Sequence, residues 1–230
     1  MMHARRWLLT APFLLSLVAV PLAPALAQES RQVSGAESAT PQSQIQESGG
    51  GDLRDIRLGT PAKDLPGTGY ANLACAGGSQ PLASWLEWRD CPADAAGLRA
   101  IRFGYDPVTS PDGTIVAGHP AVLTLLIDAA GTASGLRIET DPKARLYLRK
   151  KAFLFGIQVK SRYGLDGWSC TQAQPGAGEQ PVGGVYVSER CSKTTGDREI
   201  TVERRLFRKA DQDIKSFVDE TRMTILRTNG

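Results

Sequence analysis

Between residues 98 and 140 apolar and polar positions alternate with the period of a β-strand. Ile101, Phe103 and Tyr105 fall two apart within Leu98–Tyr105, and the runs Ala121–Asp128 and Ala133–Thr140 flank Ala129-Ala130-Gly131-Thr132. Two such runs about a glycine turn predict a β-hairpin. Further strands are predicted over Gly184–Arg190, Glu199–Phe207 and Thr221–Arg227, with Ile200, Val202, Leu206 and Ile225 as candidate core. Trp85–Asp90, bounded by Cys91, reads as another short strand.

One stretch changes period. Asp141 suits an N-cap, Pro142 the first helical position and Gly164 the stop, which predicts a helix ending at Tyr163. Leu148, Ala152, Phe155, Val159 and Tyr163 form one helical stripe, and Leu146, Phe153 and Ile157 fall on another face. A helix apolar on two faces is expected between two layers. A shorter helical turn is predicted from Thr60-Pro61 through Leu65.

The order of elements suggests a tandem repeat. Cys75, a loop, the run ending at Cys91 and an alternating strand are followed by Cys170, a loop, a strand ending at Cys191 and another alternating strand. These patterns together predict an α+β fold of antiparallel sheets with packed helices in two related halves, 53–140 and 141–230.

What precedes residue 53 changes the compartment. Met1–Ala27 has Arg5-Arg6, an apolar run from Trp7 to Val20 and Ala25-Leu26-Ala27, the three parts of a cleavable secretory signal. Residues 28–52 carry only Val33 and Ile45 as sizeable apolar groups and read as a flexible leader. The expected product is a protein of the periplasm or the extracellular space, without stable membrane insertion after cleavage. In that setting Cys75, Cys91, Cys170 and Cys191 are expected as disulfides. Four cysteines allow three pairings. Cys75–Cys91 and Cys170–Cys191 are the expected ones, because each closes a short loop and the pairs hold equivalent places in the two halves.

Charge and histidine content narrow the chemistry. The whole chain has 27 Lys+Arg against 24 Asp+Glu, and removal of the signal leaves 25 against 24. Near neutrality gives no reason to expect nucleic acid as a partner. His119 becomes the sole histidine, with no serine or cysteine nucleophile motif near it, so no catalytic residue and no cofactor is assigned. Asp106, Asp112, Asp128 and Asp141, or Asp211, Asp213, Asp219 and Glu220, offer oxygen ligands for calcium or a lanthanide, but neither group has the spacing of an EF-hand loop. The helix carries Lys143, Arg145, Arg149, Lys150, Lys151, Lys160 and Arg162 and no acid, which reads either as a surface for an acidic partner or lipid or as a solvated rim. Trp85, Trp88 and Trp168 lie near the cysteines and are the candidate partner-binding residues, with core packing as their alternative.

Ile56-Arg57-Leu58-Gly59-Thr60-Pro61-Ala62-Lys63-Asp64-Leu65 resembles the opening of the repeat in the small outer-membrane lipoprotein (SmpA/OmlA) and beta-lactamase-inhibitor protein group. The resemblance implies helices on an antiparallel sheet, in a unit that can occur in tandem, and a role in protein binding. No lipid-anchor cysteine is present at the cleavage point. The expected function is that of a non-enzymatic binding or accessory protein, with another envelope protein as the expected partner and aromatic residues and strand edges making the contact. The alternative is a metal-binding accessory protein using the carboxylates.

Overall fold

The computed structural model describes residues 52–228 apart from Ser79 and Ile214. The signal expected over 1–27 lies outside the described residues, as does the leader apart from Asp52.

The described chain is dominated by antiparallel strands: β1 (Tyr70–Cys75), β2 (Arg99–Tyr105), β3 (Ile115–Val116), β4 (His119–Ile127), β5 (Ala133–Thr140), β6 (Ser169–Gln172), β7 (Glu179–Gln180), β8 (Val187–Thr195), β9 (Arg198–Lys209) and β10 (Phe217–Arg227). They form a single sheet in the order β1-β2-β4-β5-β10-β9-β8-β6, with β3 paired to β4 and β7 to β9. The helical elements are α1 (Leu146–Arg149), α2 (Ala152–Arg162) and two 3-10 turns, Ala62–Asp64 and Trp85–Asp90.

Strand register explains which face is core. Ile101, Leu125, Leu136, Ile225 and Ile200 are partners in one row across five strands, and Phe103, Leu123, Ile138, Met223 and Val202 make the next. All ten are buried. The row between them is polar, running Arg102, Thr124, Arg137, Thr224, Thr201. The neighbouring outer row, Glu139–Arg222–Glu203–Arg190, alternates in sign, with Arg222 Nε 2.7 Å from Glu139 Oε1 and Arg190 paired to Glu203. A period of two on paired strands thus gives one apolar face and one solvated face. The apolar face is covered by α2 and by the segment bearing Leu53, Ile56, Leu58 and Leu65. Arg198 pins that segment: its Nε and Nη2 donate to Asp52 at 2.9 and 3.1 Å, and Nη2 also to the Leu58 carbonyl at 3.1 Å.

The α+β expectation is overturned. Among the described residues strand accounts for 45% and helix for 14%, so this is a mostly antiparallel β protein, not one of sheets with packed helices. The helix expected from Asp141 to Tyr163 shrinks to the four residues of α1 and the eleven of α2. Asp141 spends its capping capacity on a local turn: its carboxylate accepts from Lys143 N–H, and its carbonyl from Ala144 N–H. Neither helix has an acid in its first turn, so the positive end of the helix dipole is left uncompensated. At the other end Gly164 stops α2 with φ +83°, the left-handed conformation that glycine adopts without strain.

The sheet order is mirrored about β5 and β10, yet the segments compared in the sequence differ in structure. Trp85–Asp90 is a 3-10 turn and not a strand. Ser84 accepts the Leu86 N–H at its start, and the two buried tryptophans are three residues apart, the period of that turn. The hairpin is found at its expected place, with Gly131 at φ +84° in the turn.

Both expected disulfides are present. Cys75–Cys91 joins the end of β1 to the residue after the 3-10 turn, with Cα atoms 5.2 Å apart, whereas Cys170–Cys191 ties directly opposed residues of β6 and β8 at 4.0 Å. The two bridges therefore hold different kinds of structure.

Candidate functional site

Helix α2 is fixed to the sheet through its inward residues. Ala152, Phe155, Gly156 and Val159 are buried, and a Cβ at Gly156 would lie 2.8 Å from Arg204 Cδ, so glycine lets the helix rest on the arginine stem. Beneath it Glu189 is shared by Lys160 Nζ at 3.1 Å and Arg204 Nη1 at 3.3 Å. Lys193 closes the far end: its ammonium donates to the carbonyls of Tyr163, Gly164 and Asp166 at 2.5, 3.2 and 2.8 Å. Tyr163 is the C-cap of α2, whose carbonyl the helix leaves unpaired, and a cation there also offsets the negative end of the dipole. At the near end Thr221 Oγ1 donates to the Ala152 carbonyl at 2.8 Å and Arg149 Nη2 to the Phe217 carbonyl at 2.8 Å.

The outward side is the unexpected part. With 100° between successive residues, Leu154 and Ile157 point away from the inward set, with Phe153 beside them. All three are exposed, Ile157 at 49%, and Leu146 and Tyr147 (58%) extend the apolar surface along α1. Lys143, Arg145, Lys150 and Lys151 are exposed in the same segment. No acid occurs from Pro142 to Leu165. The second apolar face read in the sequence is therefore real, but it has no covering layer among the described residues.

The sequence candidates divide differently. Trp85 and Trp88 are core, at 5% and 4% exposure. The Trp85 ring meets Phe103 at 5.2 Å and its Nε1 donates to the Pro66 carbonyl at 2.9 Å. Trp88 lies against the Gly131 turn under the Arg89 guanidinium, whose centre is 4.2 Å from the ring. Neither can reach a partner from this position. Trp168 is half-buried just beyond α2; its Nε1 donates to the Gly164 carbonyl at 2.8 Å. His119 is buried beside Phe155, their ring centres 5.8 Å apart. Burial lowers its pKa, Gln158 favours the charged ring and the Lys151 charge opposes it.

Four of the eight carboxylates named as candidate metal ligands, Asp106, Asp128, Asp141 and Asp213, serve their own turns. Asp128 accepts from Ala130 N–H, Thr132 N–H and the Ser134 hydroxyl at 2.9, 2.9 and 2.6 Å, and these bonds hold its pKa down despite partial burial. Asp106 and Asp213 accept from the amides of Val108 and Lys215, as Asp141 does from Lys143. Among the described residues, the group of three donors close enough for one ion is Cys170, Glu189 and Cys191, two of which are joined in the disulfide and so lack thiolates to offer.

Among the described residues no helix is long and apolar enough to cross a membrane. Comparison with protein-family models, curated proteins and solved structures gives no match to this chain.

Proposed function

We propose that this chain is a non-enzymatic binding or accessory protein of the periplasm or extracellular space, and that its contact surface is the outward side of α1 and α2. The observation that carries the reading is the exposure of Tyr147, Phe153, Leu154 and Ile157 on a helical ledge whose inner side is rigidly held. Surface helices ordinarily turn polar residues outward. Here the outward apolar groups belong to a segment that carries the exposed cations Lys143, Arg145, Lys150 and Lys151 and no acid of its own, which suits an apolar patch rimmed by Asp and Glu on another envelope protein. The two disulfides fit an oxidising compartment.

The test is cross-linking capture from an envelope extract with three forms of the protein: wild type, Phe153→Asp/Ile157→Asp, and Val108→Asp, which alters an exposed apolar residue of another loop. Wild type and Val108→Asp should capture the same discrete protein, and the double variant should lose it by at least thirtyfold, about 2 kcal/mol, with folding unchanged. Equal capture by all three forms overturns the assignment. Binding of wild type to phosphatidylglycerol vesicles with no protein captured overturns it in favour of a lipid surface.

A further inference from the structure

The two disulfides differ in their surroundings. Cys75 and Cys91 are both buried, at 3% and 1% exposure. Cys191 is buried as well, but its partner Cys170 lies exposed on β6, at the edge of the sheet. Two further groups meet this bridge. Glu189 precedes Cys191 by two residues on β8 and so shares its face, and a Glu189 carboxylate oxygen lies within 4.8 Å of both sulfurs. Lys160 Nζ, reaching down from α2, is 3.7 Å from Cys170 Sγ and 3.1 Å from Glu189 Oε2. Arg204 takes the same oxygen at 3.3 Å, so neither cation occupies Glu189 Oε1. Among the described residues this is the one set of three metal-ligating side chains that come so close.

We propose that reduction turns this bridge into a site for one thiophilic divalent cation of the zinc or cadmium type, held by Cys170 Sγ, Cys191 Sγ and a Glu189 oxygen. A dithiol opens the bridge. Its first thiolate attacks Sγ of the exposed Cys170 and expels the Cys191 thiolate; its second attacks the mixed disulfide at the reductant's own sulfur, which releases the Cys170 thiolate and leaves the reductant as a cyclic disulfide. The Lys160 ammonium, 3.7 Å away, stabilises that leaving thiolate. The cation then takes the place of the two thiol protons, which pass to solvent. The ligands are already gathered, because Cys170 and Cys191 are direct partners in the register of β6 and β8. A tetrahedral zinc site holds its sulfur and oxygen donors about 3.6–3.8 Å apart, inside the 4.8 Å span found here. Two thiolates and a carboxylate carry three negative charges; the divalent cation leaves one, which Lys160 offsets from beside the ligands. Two sulfur donors select such an ion over calcium, and with three protein donors the fourth position stays open to water. None of these groups belongs to the outward ledge of α1 and α2, so the site stands independently of the partner reading.

The test uses the full chain, dithiothreitol without denaturant, and cadmium as the probe ion. Peptide mapping after alkylation should find Cys170 and Cys191 reduced and Cys75–Cys91 intact. Freed of reductant, the protein should bind one cadmium ion per chain, read from the thiolate-to-cadmium ultraviolet absorption, and the bound ion should shield Cys170 and Cys191 from iodoacetamide. The oxidised protein should show no such absorption. Glu189→Gln should weaken cadmium binding by about tenfold or more, at least the loss caused by removing a group that only supports a ligand. Since Glu189 also pairs with two cations, Glu189→Asp, which keeps the charge but draws the carboxylate back by one methylene, is the second variant, with the same direction expected; one folded variant of the two suffices. Reduction of Cys75–Cys91 ahead of Cys170–Cys191, no cadmium bound by the reduced protein, equal binding by the oxidised one, or undiminished affinity in a folded Glu189 variant overturns the proposal.

Discussion

Asp219 should make this protein less stable as the pH rises from 4 to 6, and Asp219→Asn should remove that loss. The residue sits on the inward face of β10 between Phe217 and Thr221, opposite Leu206, at 7% exposure. Two cations lie close, but both are engaged elsewhere: Arg149 donates to the Phe217 carbonyl and Arg204 to Glu189. No ion pair to Asp219 is formed among the described residues. Burial therefore dominates and raises its pKa to about 6; Arg149 and Arg204 pull it down only in part, and the neighbouring Glu220 pushes it up.

The sign follows from proton linkage. The folded state holds a proton on Asp219 up to about pH 6, whereas the unfolded chain releases it near 3.8. The contribution is complete below the unfolded value and is lost as pH rises through the folded one. Two units of pKa at 1.36 kcal/mol each make the loss about 3 kcal/mol. Asparagine mimics the protonated acid, so Asp219→Asn should match wild type near pH 4 and exceed it by about 2–3 kcal/mol at pH 7, or roughly 4–12 °C in Tm for a chain of this size. Thermal unfolding by near-ultraviolet circular dichroism at pH 4, 5, 6 and 7 measures the difference, in which the titration of every other carboxylate cancels. A difference that does not change with pH, or a variant less stable than wild type at pH 7, refutes the reasoning.

Two further substitutions test the packing. Trp88→Ala should cost about 3–5 kcal/mol in urea unfolding, because it empties a core position against the hairpin turn, and Trp168→Ala, half-buried, should cost less than half as much. Gly135→Ala should destabilise by about 1–3 kcal/mol, since its Cβ would lie 2.7 Å from Leu226 Cδ2 and 2.9 Å from Leu126 Cδ1. Shortening the neighbour in the double variant Gly135→Ala/Leu226→Ala should recover part of that cost relative to the sum of the single changes.

The strands were legible because their signal is local and redundant. Ile101, Phe103, Leu125, Leu136 and Ile138 alternate with polar residues, and a register shifted by one would turn them all to water. The Gly131 turn added a second, independent cue. Trp85–Asp90 was misread as a strand because tryptophan is a strand-favouring residue, although the spacing of Trp85 and Trp88 already carried a period of three. The start of the long helix failed for a related reason. Asp141 can cap a helix or close a turn on itself, and the basic residues that follow do nothing to favour the helix.

The contact surface was half legible, and the missing half is instructive. The sequence shows Leu146, Phe153 and Ile157 as a second apolar face, but periodicity reports only that a face is apolar, not what covers it. A covering layer on that side would have to come from elements elsewhere in the chain. Yet the strands after α2 extend the same sheet: β9 and β10 lie under the inward stripe, β8 continues the sheet beside β9, and β6 forms the edge beyond β8. Trp85 and Trp88 differ in the opposite sense. Their type suggests an interface, but the hairpin and β2 close over them. Whether an apolar residue serves the core or a partner is thus decided by which side of the sheet the remaining chain takes, and in this chain the α2 face left over from that choice is the one whose segment carries cations and no acid of its own.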